Sequence, residues 1–221
     1  MQKLIFPSIF IFVALFTGCA STQTQKLNIN AVKTSNPTSM IISKREKPYF
    51  LATTALNVQF ALLGVAAQIS SGNKIINENQ VEDPAIYIAN ELAKTLENQL
   101  GVTHITTSTS TTTTNNVKTL SEQYKSADIL LDVQTTYWQS IYYTSDWNNY
   151  RVLYAAKLRL IDTKNQKVLA ESSCSKNQDD KKNSPSYDQL IANNAAVLKA
   201  ALKSHADECI SEFKTNALGS I

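Results

Sequence analysis

Between positions 84 and 100 the apolar residues Ala85, Ala89, Leu92, Leu96 and Leu100 recur every three or four places. That spacing predicts an amphipathic helix. Asp83 suits its N-cap, Pro84 its first turn and Gly101 its left-handed stop. A second stripe, Ile191, Ala195, Leu198, Leu202, Ala206, Cys209 and Phe213, predicts a long closing helix over residues 186–214. Between the two, the period changes to two. Ile129, Leu131 and Val133 alternate with polar neighbours, Val152, Tyr154, Ala156, Leu158 and Leu160 with Arg151, Lys157 and Arg159, and residues 167–175 form a third run. The turns TSDWNN and DTKNQK join these runs into an antiparallel meander. Short strands at 39–43 and 102–107 and a short helix at 117–126 complete the set. The expected fold is α+β: an antiparallel β-meander of three to five strands, amphipathic helices packed on one face, and a long C-terminal helix.

Two stretches fit neither period. Residues 49–70, YFLATTALNVQFALLGVAAQIS, form the longest apolar run after the start of the chain, interrupted by Asn57, Gln59 and Gln68. A helix or helical hairpin packed on the domain is one reading, and a membrane-inserting or oligomer-forming segment the other, since a polar side chain in hydrocarbon needs a partner. At the start, Lys3 precedes an apolar run from Leu4 to Phe16, then small residues. That is the layout of a secretory signal peptide over residues 1–18, too short to cross a bilayer as a helix, which takes roughly 20 residues.

Leu15, Phe16, Thr17, Gly18 and Cys19 together resemble the lipobox of bacterial lipoproteins, with Phe16 where Leu is usual. The resemblance implies cleavage before Cys19 and acylation of its sulfur and amine, giving two or three chains where one would hold only marginally. Ala20, in place of the Asp that marks inner-membrane retention, favours the outer membrane, with the protein facing the periplasm. Residues 19–37 are then the lipidated N-terminus and a flexible tether, and residues 38–221 a single domain.

Charge and cysteine count narrow the partners. Without the leader the balance is 21 − 1 − 18 = +2, with scattered basic residues, so nucleic acid is not expected as a partner. Cys174 and Cys209 both point toward the interface of the third run with the last helix, and in an oxidising compartment they are expected to pair. Buried free thiols are the alternative.

Catalytic patterning is absent from the sequence: no Gly-rich phosphate loop, HExxH or CxxC occurs, and the histidines are His104 and His205, the latter read as a helix-surface residue. No cofactor or metal is called for beyond the lipid on Cys19. Aromatic residues crowd the first hairpin turn, and Tyr142, Tyr143 and Trp147 are the candidate interaction patch, combining apolar area with a polar tip. In outline the domain looks like the α/β domains of envelope-assembly lipoproteins, such as those of curli secretion and penicillin-binding-protein activation. Three functions follow as expectations: a non-catalytic, membrane-anchored binding or assembly module of the envelope; an oligomeric membrane-inserting or secretion-associated subunit using residues 49–70; and an envelope hydrolase.

Overall fold

The computed structural model describes residues 24–54, 64–178 and 180–219. In chain order the elements are α1 (Ile29–Thr34), β1 (Ser39–Arg45), β2 (Leu51–Thr53), α2 (Gly64–Glu78), α3 (Pro84–Leu100), β3 (His104–Thr112), α4 (Val117–Gln123), β4 (Ile129–Tyr143), β5 (Asp146–Asp162), β6 (Lys167–Asn177) and α5 (Tyr187–Phe213). A 3₁₀ turn over Lys181–Asn183 precedes α5 and a π turn over Lys214–Leu218 follows it.

The sheet runs β3-β1-β4-β5-β6, with β2 added to β4. Its second half is the expected meander: β4 pairs antiparallel with β5 from Ile129↔Asp162 to Tyr143↔Asp146, and β5 antiparallel with β6. Its first half departs from expectation, because β1 lies parallel to both β3 and β4 and β2 lies parallel to β4. The sheet is therefore mixed. Parallel neighbours require long crossovers, supplied here by the helices between β1 and β3 and between β3 and β4.

β3 also extends past the expected 102–107, to Thr112. Ile42 faces Thr107 and Lys44 faces Thr111, so β3 carries two extra residues there, and Ser110 N–H donates to Ser108 Oγ at 3.1 Å. The bulge interrupts an uncharged, Thr-rich edge that would otherwise invite pairing with another chain.

Helices cover both faces rather than one. Leu92 and Leu96 of α3 and Leu198, Leu202 and Phe213 of α5 pack on Met40, Leu131, Val133, Leu158 and Leu160 in the main core. The alternate residues Leu130 and Ile161 face the other way and are covered by Leu120 and Tyr124 of α4. Asp83 and Gly101 cap α3 as expected, with Ala85 N–H donating to Asp83 Oδ1 at 2.9 Å and Gly101 at φ 73°.

The expected helix over 186–214 starts with a capping box between Ser186 and Gln189. It is not continuous: Ala192 is extended, and Asn193, Asn194 and Ala195 are left-handed at φ 52°, 58° and 53°. For L residues each such conformation costs about 1–2 kcal/mol, least for Asn. The register of the apolar stripe hid the break, since Ala195 is still fully buried. The turn is braced from the residue that follows α2 and from α5 itself: oriented to satisfy both partners, the Asn194 amide donates to Asn79 O at 3.1 Å and accepts from Lys199 Nζ at 3.0 Å.

Residues 49–70 divide. Phe50 is buried, residues 51–53 form β2, and α2 begins at Gly64; residues 55–63, the middle of the stretch, lie outside the described residues. α2 crosses β2 at Gly72, where a Cβ would lie 1.8 Å from Phe50 O. Only glycine permits that approach.

The stretch read as a tether is part of the fold from its seventh residue on. Gln25 N–H donates to Glu171 O at 2.8 Å and accepts at its own carbonyl from Glu171 N–H at 3.0 Å, extending the sheet by one bridge beyond β6. Leu27 N–H donates to Ala217 O at 2.7 Å, and the Leu27 and Val32 side chains are buried in the main core. Polarity without helical period suggested a flexible linker, and two apolar anchors were enough to dock it.

Candidate functional site

β4 and β5 form a hairpin of 15 and 17 residues whose tip carries the aromatic cluster. Tyr142 faces Tyr150 across the strands with ring centroids 6.3 Å apart, Trp147 lies 6.0 Å from Tyr142, and Tyr150 continues to Tyr187 of α5 at 5.4 Å. Trp147 is 58% exposed. Burial raises the Tyr150 hydroxyl above its ordinary value, aided by Tyr187, Tyr142 and Asp188, and the Tyr187 hydroxyl is raised likewise by burial and Asp188. Tyr150 and Tyr187 are therefore neutral at physiological pH, and the ladder presents apolar rings with polar tips.

Of the three residues expected to form the patch, Trp147 is exposed and Tyr142 partly so, whereas Tyr143 is buried. Its hydroxyl donates to Gln178 O at 2.9 Å and pairs with Ser184 Oγ at 2.9 Å, and the Arg151 guanidinium stands 5.2 Å from its ring. Tyr143 fastens the hairpin to the segment before α5 and is not a contact residue. Tyr137, on the same strand, is exposed and was not singled out from sequence. Trp138 is core, its Nε1–H donating to Pro48 O at 3.0 Å and its ring edge-on to Phe50.

Cys174 and Cys209 are joined as a disulfide with Cα atoms 5.5 Å apart, tying β6 to α5 across the core. Cys19 and the leader lie outside the described residues.

The buried ionisable groups were not legible as such. Asp132 of β4 receives Ser43 Oγ–H at 2.7 Å and Arg45 Nε–H at 2.6 Å on one oxygen, and Arg45 Nη2 at 2.6 Å with Arg159 Nη2 at 2.8 Å on the other. The carbonyls of Thr114 and Asn115 take up the remaining guanidinium donors at 2.6 and 2.7 Å. Burial pushes the Asp132 carboxyl upward, but the hydrogen bonds and charge of Arg45 and the charge of Arg159 outweigh it and hold it below the usual carboxylate range. Asp83 goes the other way, raised by burial despite hydrogen bonds from Thr135 and Ala85 N–H. Thr135 in turn pairs with Tyr154 at 3.0 Å. A signal for Asp132 existed, since Arg159 is its direct partner across β4 and β5.

His205, expected on the helix surface, is 6% exposed, with Nε2 3.1 Å from Val152 O and Nδ1 3.8 Å from Glu208 Oε1. It lines a cleft of about 740 Å³ beside the left-handed turn of α5. A larger groove of about 1150 Å³ runs between α3, α5 and β1, with Asp83 at its floor and Lys44, Lys47, Lys199 and Lys203 among its walls. Lys203 is engaged by Asp207 at 2.7 Å and by the Tyr87 ring at 4.2 Å. Among the described residues no group of three or more His, Cys, Asp or Glu is placed to hold a metal ion, and no helix is long and apolar enough to cross a membrane.

No family model matches this chain, and no curated protein matches it. Among solved structures it is similar to the lipoprotein GNA1162 of Neisseria meningitidis, at 16% identity over 80% of this chain and 99% of that one, with a TM-score of 0.30. It is similar also to the PelC dodecamer of Paraburkholderia phytofirmans, at 10% identity over 84% and 96% with a TM-score of 0.33. A third similarity is to protein XCC0632 of Xanthomonas campestris, at 10% over 81% and 85% with a TM-score of 0.40. Similarities of this size assign no role to this chain.

Proposed function

We propose that this chain is a lipid-anchored module of the bacterial cell envelope, held through Cys19 at the periplasmic face of the outer membrane, which binds another envelope component without catalysing a reaction. The anchor is supported by the apolar leader and the residues Leu15 to Cys19. The binding role is carried by one observation: an indole more than half exposed, Trp147, at the tip of a long hairpin whose other aromatic rings back it. Aromatic anchors on rigid scaffolds are the usual centres of protein interfaces.

Two measurements test this reading. The mature protein should carry the mass of attached acyl chains, and a Cys19→Ala variant should lose them and wash from membranes in urea. In cells, a photocrosslinking residue placed at position 147 should trap an envelope protein, whereas one at Lys44 should not. Retention of the Cys19→Ala variant after urea would instead favour insertion through residues 49–70, and absence of any product at position 147 would remove the aromatic tip from the binding role.

A further inference from the structure

The anchored domain has a short leash and a long lever. Cys19 is six residue steps from Gln25, so at most about 21 Å of fully extended chain separates the lipid from the fold. Gln25 is fixed by its two backbone hydrogen bonds to Glu171, and its side-chain amide also donates to Val168 O at 2.9 Å and Leu169 O at 3.2 Å. Glu171 faces Arg159 of β5. From Arg159 the strand runs three residues to Asp162 at the β5–β6 turn and twelve residues back to Trp147. At roughly 3.3 Å per residue these are about 10 Å and 40 Å. The leash thus holds the domain by a point close to the turn and far from the hairpin tip.

The charges at the near end agree. Lys26, Lys33, Lys125, Lys164 and Lys167 are exposed there. The carboxylates of that end are internally engaged: Asp162 by Asn165 N–H at 2.8 Å, Asp128 by Ser39 and Thr38, and Glu122 by Gln166 at 2.8 Å. Basic groups within a Debye length of an anionic leaflet are drawn to it.

Resting on lipidation of Cys19, we infer that the domain stands on the anionic membrane surface with its β5–β6 turn and the Gln25 edge of β6 against the headgroups, and projects the Trp147 hairpin away from the bilayer. The aromatic tip then meets a protein partner rather than the membrane interface.

The test uses the full lipidated protein in vesicles of phosphatidylethanolamine and phosphatidylglycerol containing a headgroup-nitroxide lipid. With Cys19 acylated and Cys174 and Cys209 joined, an introduced cysteine is the single free thiol for a fluorophore. The Lys164→Cys probe should be quenched at least threefold more than the Trp147→Cys probe. A twelve-residue Gly/Ser insertion after Ala20 should at least halve the Lys164→Cys quenching. Equal or reversed quenching in protein that carries lipid mass and floats with the vesicles overturns the orientation alone. Protein that neither carries lipid nor floats overturns lipidation, and the orientation with it.

Discussion

Removing the Asp132 carboxylate would strand two buried cations at once. Its side chain and that of Arg45 are 2% exposed, and that of Arg159 is 6% exposed. An Asp132→Ala variant would leave two guanidiniums buried side by side, with the Thr114 and Asn115 carbonyls as acceptors but no countercharge. Breaking a buried pair by removing one partner costs about 3–5 kcal/mol, at least about a fifth of an ordinary domain's stability of roughly 5–15 kcal/mol. In urea, with a slope of about 2 kcal/mol per molar, the midpoint should fall by roughly 2 M. Replacing all three, Arg45→Met, Asp132→Leu and Arg159→Met, should restore stability to wild type or above, because the desolvation of the charges disappears with them. The carboxyl is held below its unfolded value, so its contribution is complete above about pH 4. It is lost as pH falls through the lowered folded value, and wild type should therefore lose stability more steeply than Asp132→Asn below that point. An Asp132→Ala cost under about 1 kcal/mol would show that water reaches the guanidiniums and would refute the argument.

Three further outcomes are expected. Asp83 has a raised carboxyl, so its contribution is present at low pH and lost as pH rises through the folded value. Asp83→Asn, which keeps an N-cap acceptor, should gain stability relative to wild type between pH 4 and pH 7, as urea titrations at both pH values would show. At the left-handed turn, Asn193→Gly should be neutral or stabilising while Asn193→Val costs about 1–2 kcal/mol; thermal melts giving the order expected of a continuous helix, with Gly the worse, would contradict the break. Reducing the disulfide, or the pair Cys174→Ser and Cys209→Ser, should cost nearly 4 kcal/mol by the chain-entropy relation for a separation of 35 residues, measured as a urea midpoint shift.

The antiparallel half of the sheet was legible because alternation survives in it. β4 and β5 keep one face apolar over most of their length, and the turn residues between β5 and β6 mark the reversal. The parallel half was not, because β1 offers a seven-residue pattern whose partners lie about sixty and ninety positions away, and alternation carries no information about direction. The disulfide was readable for a related reason: two cysteines on stripes already assigned to one interface had nowhere else to point. At the candidate site, sequence located the hairpin tip but not which rings are outside it. Tyr142 and Tyr143 straddle a shift in the β4–β5 register, where strand alternation alone does not tell which ring lies outside. Tyr143 left because Gln178 and Ser184 stand where its hydroxyl reaches.

What fixes the register of the parallel half is polar. Sliding β1 by one residue along β4 would turn Met40 and Ile42 out of the core, but a slide of two would keep them in. The Asp132 contacts to Ser43 and Arg45 forbid that slide from one end of the pairing. At the other end Asp128 Oδ2 takes Thr38 N–H at 2.9 Å and Ser39 N–H at 3.0 Å, while its own N–H donates to Ser39 Oγ at 3.0 Å. Those hydrogen bonds hold the Asp128 carboxyl below its usual range, the Thr38 N–H foremost. Two aspartates on β4 and its approach thus clamp the two ends of β1, and the apolar residues between them need only choose a face. The buried charge network and Asp128 thus specify the pairing of β1 together, even where the network adds little net stability over an apolar replacement; in the triple Arg45, Asp132 and Arg159 substitution only the Asp128 end of that clamp remains.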